Sequence, residues 1–483
     1  MVKSYLFRLI RMSVLIISFC TASVFAQKTP QKVIILHTND MHAKIDNLAK
    51  LAYLKDSLLQ TNPLVFLVSA GDNFTGNPVV DMIQDKGYPM IDLMNDCRFD
   101  ASAIGNHEFD LGQDFMNKRF SQAKFRFICC NLDVYQSKLK QPFPLILLSK
   151  GDSIRLPVIG ILQLGKNGLP DSHPAKMEGC KFVNGIDKAK DYIPFKEKYG
   201  NLIALTHLGI DDDIRLADSV PQIDVIIGGH SHTLLDKPRI EKGVMITQAG
   251  SNLQWVGKIT LTLLQGKIID KKDELIPMAA LKSEKLYIRA KIDKYNDNEE
   301  FNKVLGEAVN PITGYSELGS LMTDAVRDAV KADIVFQNRG GIRIDSLAKG
   351  AVRVKDIYKL DPFANQVALC KMTVDEIQGM ICNAYNMNKR IDLEVSGIKY
   401  TVFTDSDRKC IKVGLVPENS QEPLKTEYLV GMNSYIASAY SFPHQNDFQI
   451  SDAITSQLLI DYLIKKKSID YKGVSRTAVS NIK

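Results

Sequence analysis

The sequence predicts an α/β protein with at least two domains. Between residues 33 and 262, short apolar runs alternate with stretches of helix-like composition, and each run has the length of a buried strand. This alternation is typical of a layered α/β domain. A polar segment, residues 281–310, separates the region from a second α/β segment, and 483 residues exceed what one hydrophobic core usually organises. We therefore expect two domains with a connecting segment between them.

The first 26 residues have the pattern of a secretory signal peptide. Three basic residues precede the apolar run Met12–Phe19, which is followed by small residues up to Ala26. Cleavage near Ala26 would deliver the protein to the periplasm or the exterior. The alternative is a short membrane anchor, but the run is much shorter than the roughly 20 apolar residues of a spanning helix. We expect no stable membrane span once the signal is removed.

Charge and cysteine content exclude some partners and suggest little cross-linking. The net charge of +6 includes three basic residues of the signal, so the remaining chain is close to neutral and gives no electrostatic basis for binding nucleic acid. Of eight cysteines, Cys20 leaves with the signal. The odd number left requires at least one free thiol or an intermolecular bond. We expect most of these cysteines to be small buried residues.

Metal-binding types of side chain follow five of the apolar runs. Val33–Leu36 precedes Asp40 and His42, Leu64–Val68 precedes Asp72, Ala101–Ile104 precedes Asn106 and His107, Leu202–Leu205 precedes His207, and Val225–Ile227 precedes His230 and His232. Ligands of α/β sheets bind at the carboxyl ends of the strands, so these side chains are expected to converge. The remaining histidines, His37, His173 and His444, lack this context and are interpreted as structural.

The chemistry of this set predicts two metal ions. Imidazole, carboxylate and amide oxygen without thiolate suit Zn²⁺, Mn²⁺, Co²⁺ or Fe²⁺ better than Ca²⁺. The donors are too many for one ion, and two-metal hydrolases often share a bridging carboxylate between ions about 3.5–4 Å apart. Asp72 is the natural bridge, because no other acid lies close to it in the sequence.

The order of these motifs resembles that of the calcineurin-type metallophosphoesterases, and more closely the 5'-nucleotidase family, which includes periplasmic UDP-sugar hydrolases. The motifs are Asp40-x-His42, Gly71-Asp72, Gly105-Asn106-His107-Glu108, Thr206-His207 and Gly229-His230-Ser231-His232. The resemblance covers nearly the whole chain after the signal. It implies a four-layer α/β/β/α metallophosphoesterase domain at residues 27–285, a linker or helix at 286–314, and an α/β substrate-binding domain at 315–483.

The resemblance also implies a role for each motif residue. One ion would be held by Asp40, His42, Asp72 and His232, and the other by Asp72, Asn106, His207 and His230. His107 would stabilise charge in the transition state and protonate the leaving group, while Asp110 orients its ring. Related cyclic-nucleotide phosphodiesterases tend to carry Asn where this chain has Asp110, which favours a 5'-nucleotidase.

The second domain contains a glycine turn between two arginines. The apolar run Ala332–Phe336 leads into Asn338-Arg339-Gly340-Gly341-Ile342-Arg343. Glycine allows close approach of a ligand to the backbone, and guanidinium groups suit phosphate oxygens. The turn matches the family's substrate motif, so Asn338, Arg339, Gly341 and Arg343 are assigned as substrate contacts. Asp361–Asn365 resembles the family's Pro-Phe-x-Asn motif and is interpreted as architectural.

The chain departs from the family where the nucleobase binds. In the family two aromatic side chains sandwich the base, but none occurs near Asp392–Val395, where the first is expected. Tyr435 is assigned to the second position, and Tyr440 or Phe442 could compensate for the missing one. Arg390 is a loosely aligned third phosphate contact. With one stacking face lost, we expect stacking to discriminate little between bases.

These observations favour a two-metal phosphoesterase that hydrolyses nucleoside 5'-monophosphates with metal-activated water. One alternative is a UDP-sugar or nucleotide pyrophosphatase that uses the same metals. Another is a non-catalytic nucleotide-binding protein, which loss of a metal ligand or of His107 would have favoured. The sequence does not fix an oligomeric state.

Overall fold

A computed structural model describes residues 29–151, 154–418 and 423–481, which form two α/β domains. The predicted signal peptide lies outside the described residues. Within these ranges, no helix combines the length and the apolar character needed to cross a bilayer.

The first domain is built from strands and helices that alternate over most of its length. Its strands are β1 (Gln31–Thr38), β2 (Val65–Ser69), β3 (Ala101–Ala103), β4 (Arg126–Ile128), β5 (Leu132–Asp133), β6 (Leu145–Lys150), β7 (Ile154–Leu162), β8 (Lys181–Phe182), β9 (Ile203–His207), β10 (Val225–Ile227), β11 (Arg239–Glu241), β12 (Val244–Thr247), β13 (Trp255–Leu264) and β14 (Lys267–Pro277). Its helices are α1 (Leu48–Thr61), α2 (Pro78–Asp81), α3 (Tyr88–Asp96), α4 (Gln113–Gln122), α5 (Gly185–Ala189), α6 (Ile193–Tyr199), α7 (Ile210–Ser219) and α8 (Leu286–Asn296).

Two six-stranded sheets pack face to face in this domain. Their strand orders are β14-β13-β1-β2-β3-β4 and β11-β12-β10-β9-β7-β6. Val33 and Phe66 of the first sheet share a buried core with Leu205 of the second. The outer faces are covered by helices, as Leu48 of α1 shows for the first sheet and Leu216 of α7 for the second. The predicted four-layer α/β/β/α arrangement is confirmed.

The central strands of both sheets are parallel, which brings their carboxyl ends to one side of the domain. β1, β2 and β3 pair in parallel in the first sheet, and β7, β9 and β10 in the second. The five predicted strands are confirmed, and they divide three to two between the sheets. Because both faces of these strands are covered, their sequences are continuous apolar runs rather than alternating ones.

The second domain is a mixed α/β unit. Its strands are β15 (Val304–Ala308), β16 (Ile312–Thr313), β17 (Ile334–Asn338), β18 (Ser346–Leu347), β19 (Gly350–Arg353), β20 (Gln366–Thr373), β21 (Leu393–Ser396), β22 (Ile398–Thr404), β23 (Cys410–Pro417), β24 (Glu427–Asn433), β25 (Gln449–Ile454), β26 (Ser468–Ile469) and β27 (Thr477–Asn481). Its helices are α9 (Glu299–Asn302), α10 (Gly314–Val330), α11 (Val354–Leu360), α12 (Val374–Asn388), α13 (Ser434–Ala439) and α14 (Thr455–Lys466). The main sheet has the order β21-β17-β24-β20-β25.

The segment between the domains is structured. Ile288 and Ile292 of α8 are buried against the first domain, and Lys291 forms ion pairs with Asp92 and Asp96 of α3 at 3.0 and 2.7 Å. β15 follows and pairs with β19 and β26. The sheets of the second domain thus begin within the range 286–314 that the sequence assigns to a linker.

One disulfide and five free thiols account for the cysteines after the signal. Cys382 of α12 is bonded to Cys410 of β23. The free cysteines, all but Cys180 buried, are Cys97, Cys129, Cys130, Cys180 and Cys370. The expectation of mainly buried cysteines with at least one free thiol is confirmed.

Candidate metal and substrate site

The strand ends of the two sheets bring the predicted metal ligands together through strained turns. Asp40, His42, Asp72, His230 and His232 all have positive φ, between 45° and 76°. Left-handed backbone costs a residue other than glycine on the order of 1–3 kcal/mol and persists where the surrounding structure imposes it, often at functional sites. The side chains after the strands are therefore held in fixed directions.

Four side chains converge on the side of the cluster nearest β9. His207 Nε2 lies 3.0 Å from Asp72 Oδ2 and 3.2 Å from Asn106 Oδ1. His230 Nδ1 lies 3.1 Å from the same Asn106 oxygen. The Asn106 amide donates to the carbonyl of Asp171 at 3.0 Å, so its oxygen faces the cluster. These are the four residues assigned to the second ion.

The other side of the cluster is formed by Asp40, His42 and His232. The Nε2 atoms of His42 and His232 are 3.0 Å apart, and His232 Nε2 is 3.4 Å from Asp40 Oδ1. Asp40 Oδ1 also lies 3.9 Å from His207 Nε2, so this carboxylate reaches toward both sides. Donor atoms of Asp72 lie within 4.8 Å of those of His42 on one side and His207 on the other, as a bridging carboxylate requires.

Two histidines of the cluster have their second nitrogen bound to a backbone carbonyl. His207 Nδ1 donates to Ala70 O at 2.7 Å, and His42 Nδ1 donates to Thr75 O at 3.2 Å. Such bonds fix the tautomer and leave Nε2 free as a metal ligand. The oxygen and nitrogen donors, most of them buried, therefore fit a pair of divalent ions.

The charges of the cluster favour a cation. Burial lowers the pKa of His207, but the carboxylates of Asp72 and Asp40 outweigh it and raise the pKa to about 10. Burial raises the pKa of Asp72, but His207 and His107 outweigh it and hold this pKa well below its usual range. Burial and the neighbouring Arg343 lower the pKa of His42, which keeps that imidazole neutral and able to bind a metal.

Glu108 is a residue of the site whose role the sequence did not reveal. Its carboxylate is fully buried and accepts hydrogen bonds from the backbone N–H groups of Asp72, Asn73 and Gly105 at 3.0, 2.8 and 2.6 Å. It thereby holds the turn after β2 against the turn after β3. Its place directly after Asn106 and His107 is the only sequence signal, and that signal does not say which way the side chain points.

His107 lies beside the cluster, and a hydrogen bond to Asp110 orients its ring. Its Nδ1 donates to Asp110 Oδ2 at 2.6 Å, and Asp110 Oδ1 accepts from the hydroxyl of Ser172 at 3.0 Å. Burial lowers the pKa of His107, but Asp110 and Asp72 together raise it above the usual value. Its Nε2 faces the cluster, 3.9 Å from Asp72 Oδ2.

Phe363 of the second domain packs against one face of the His107 ring. The two rings are stacked, with centroids 5.6 Å apart and an interplanar angle of 21°. Phe363 also lies under the guanidinium of Arg343, at 5.7 Å. The motif interpreted as architectural therefore contacts the predicted acid directly.

The two arginines of the glycine turn have different partners. Arg343 Nη2 lies 3.2 Å from His42 Nε2, so this side chain meets the metal cluster from the second domain. Arg339 instead uses Nε and Nη2 on Glu394 Oε1, at 2.8 and 2.6 Å. Only Arg343 of the pair reaches the cluster.

The remaining predicted substrate residues lie beside this turn. Asn338 is buried and accepts from the Asn433 amide at 2.8 Å, and a Cβ on Gly341 would fall 2.2 Å from Gln337 Nε2. Tyr435 meets Tyr440 edge to face, with centroids 6.1 Å apart. Among the other candidates, Phe442 packs edge to face with Phe448, and Arg390 is exposed.

The three histidines interpreted as structural have partners that fit this interpretation. His37 is buried and forms an ion pair with Asp273 at 3.3 Å. His173 Nδ1 accepts from the backbone of Ala175, and His444 Nδ1 donates to Asn446 O. The structure brings none of the three into the metal cluster.

Comparisons with known proteins match both domains. The model of the calcineurin-like phosphoesterase family matches residues 33–234, and that of the 5'-nucleotidase C-terminal domain matches residues 303–444. The chain combines a calcineurin-like phosphoesterase domain with a 5'-nucleotidase C-terminal domain. The two matches cover all the predicted metal ligands, His107 and the glycine turn.

Individual relatives agree with these two domain matches. The chain is 27% identical over 472 residues to a trifunctional nucleotide phosphoesterase of Bacillus subtilis, covering 84% of this chain and 32% of that protein. It is 26% identical to a 5'-nucleotidase of Vibrio parahaemolyticus, covering 72% of this chain and 74% of the relative. The chain thus spans about a third of the first relative's length.

A solved structure shows the same fold. The 5'-nucleotidase precursor of Thermus thermophilus superposes with a TM-score of 0.81 at 24% identity, covering 94% of this chain and all of that one. At 24% identity, this similarity supports the two-domain fold and nothing about function.

Proposed function

We propose that this protein hydrolyses nucleoside 5'-monophosphates to a nucleoside and phosphate. The observation that carries the proposal is the meeting of the metal cluster with Arg343, whose guanidinium lies 3.2 Å from His42. A phosphate group bound at the metal cluster beside Arg343 would contact positive charge from both domains. The names of the relatives, a nucleotide phosphoesterase and a 5'-nucleotidase, agree with this substrate class.

The cluster would hold two divalent ions, for which we propose Zn²⁺, Mn²⁺ or Co²⁺. Asp40, His42 and His232 would bind one, Asn106, His207 and His230 the other, and Asp72 would bridge them. When bound, such ions supply Lewis acidity that activates water and polarises the phosphoryl group. The bonds from His207 to Ala70 and from His42 to Thr75 keep the ligand nitrogens aimed inward.

His107 would supply a proton and positive charge at the reacting phosphate. Asp110 accepts from Nδ1, which leaves Nε2 directed at the cluster. The raised pKa of His107 keeps a proton available at neutral pH for the leaving oxygen of the nucleoside. Phe363 stacks on one face of the His107 ring and limits the access of water from that side.

Arg343 would hold a phosphate oxygen, since a guanidinium matches phosphate in geometry and charge. Arg339, bound to Glu394, would shape the substrate pocket beside it. Tyr435 would offer a face to the base. Secretion or export to the periplasm is proposed from the signal-like sequence of residues 1–26.

The test is a substrate panel on protein stripped with a chelator and reloaded separately with each ion. The proposal expects 5'-mononucleotides to be hydrolysed faster than UDP-sugars or dinucleotides. Faster cleavage of UDP-glucose would favour the pyrophosphatase alternative. Tight nucleotide binding without turnover would favour a binding protein.

A further inference from the structure

Asp392 lies at the edge of the second domain that faces the metal cluster. β17 and β24 are parallel and end at this edge, whereas the antiparallel β21 begins there, directly after Asp392. The backbone N–H of Arg339 donates to Asp392 O at 2.7 Å. Arg343, at the end of the same turn, contacts His42. Asp392 is therefore on the side where a substrate held by Arg343 would lie.

The carboxylate of Asp392 is buried but only partly satisfied. The residue is 6% exposed, and its Oδ2 accepts a hydrogen bond from the hydroxyl of Tyr440. Its Oδ1 has no hydrogen-bond donor within the described ranges. Arg339 and Arg390 act on this carboxyl only through space, and Arg339 directs its Nε and Nη2 to Glu394 instead. The Oδ1 atom keeps contact with solvent in an otherwise buried residue, so a ligand that donates to it can use its free acceptor capacity.

Tyr435 provides an apolar face next to this carboxylate. Tyr440 is fixed by its bond to Asp392 and packs edge to face on Tyr435, at an interplanar angle of 77°. Ile391 and Leu393, which flank Asp392, are both buried in the core of the domain and cannot form a second stacking face. A base stacked on Tyr435 would thus have one aromatic neighbour and a carboxylate near its edge.

We propose that Asp392 determines base specificity and that the protein prefers guanine nucleotides. This inference rests on the proposed function. A carboxylate only accepts hydrogen bonds. Guanine presents adjacent N1–H and N2–H donors, which can bind one carboxylate side by side, and such charge-assisted pairs are strong. Hypoxanthine has only the N1–H donor. Adenine has an acceptor, N1, beside its amino group, and uracil has a carbonyl on each side of its N3–H, so neither offers two adjacent donors to a carboxylate.

The test compares kcat/KM for GMP, IMP, AMP and UMP in the metal-loaded parent and in Asp392→Asn. GMP should exceed the other three by about tenfold or more in the parent, the usual effect of a hydrogen bond to a charged group. Asp392→Asn should abolish this preference, mainly through a higher KM for GMP. Ribose 5-phosphate, which has no base, serves as the control substrate and should be hydrolysed equally by both proteins.

A second variant separates specificity from folding. Tyr440→Phe leaves the carboxylate in place, so it should retain the preference for GMP over AMP. Equal kcat/KM for GMP and AMP in the parent, or a preference that survives Asp392→Asn, would overturn the role of Asp392 and leave nucleotide hydrolysis standing. Failure of the metal-loaded parent to hydrolyse any 5'-mononucleotide would overturn the proposed function itself, and this inference with it.

Discussion

At the scale of single residues, hydrogen bonding distinguishes the proposed metal ligands from the proposed acid. His42 and His207 are each bonded to a backbone carbonyl, which leaves one nitrogen for a metal. His107 is bonded instead to the carboxylate of Asp110, as expected for an imidazole that carries a proton. The partner of the second ring nitrogen thus distinguishes two kinds of histidine that the sequence alone shows as similar.

His107→Ala should lower kcat by about 10²–10⁴-fold, because the variant loses an acid and a positive charge at the reacting phosphate. Both ions should remain bound, since His107 is not among the proposed ligands. Steady-state kinetics and metal analysis of one preparation check both statements. His444→Ala, outside the site, is the matched control. Loss of an ion from His107→Ala would show that this histidine is a ligand.

At the scale of elements, the strands and their terminal turns were predictable because both signals are local. An apolar run followed by His, Asp or Asn predicts a buried strand and a candidate ligand after it, as for Val225–Ile227 and His230. The division of these strands between two sheets depends on pairing between distant segments, and the apolar runs carry no information about it. The sequence likewise could not show that Glu108 turns inward to bind three backbone N–H groups.

The turn after β2 is supported by Asp81, which we expect to position His42. The carboxylate of Asp81 accepts from the backbone N–H groups of Thr75, Gly76 and Asn77 at 3.2, 2.7 and 2.8 Å, and Thr75 O binds the ring of His42. Asp81→Asn weakens these bonds and should lower the affinity for one ion by about 10–100-fold. Calorimetric titration with Mn²⁺ measures this affinity.

The control for Asp81→Asn is Asp114→Asn, which changes an exposed carboxylate in the first turn of α4. It should bind both ions like the parent. Equal affinities in the parent and in Asp81→Asn would mean that the loop at Thr75 holds its shape without this carboxylate.

At the scale of the whole molecule, the site is complete only where the two domains meet. The stacking of Phe363 on His107 joins residues far apart in the sequence, as does the contact of Arg343 with His42. The resemblance to a family indicated that Arg343 faces the substrate, but no local pattern indicated that Phe363 covers His107. From the sequence alone, the motif around Phe363 therefore reads as architectural.

Phe363→Leu should lower kcat by about 2–10-fold, because leucine keeps apolar bulk but loses the stacked ring. This range corresponds to the stabilisation that one aromatic pair usually provides. Single-turnover measurements at saturating substrate isolate this effect from binding. Phe442→Leu is the matched control, since the ring contacts of Phe442 are with His444 and Phe448 of its own domain. Equal losses in the two variants would indicate a general effect on the second domain rather than on His107.

The central claim is that two divalent ions at this cluster drive phosphate-ester hydrolysis, and metal content measured together with activity tests it most directly. Protein stripped by a chelator and reloaded should bind two ions per chain and regain hydrolysis of 5'-mononucleotides. Asp72→Ala should lose metal and activity together, because this carboxylate faces both sides of the cluster. Full hydrolysis by metal-free protein, or full activity with Asp72→Ala, would contradict the account.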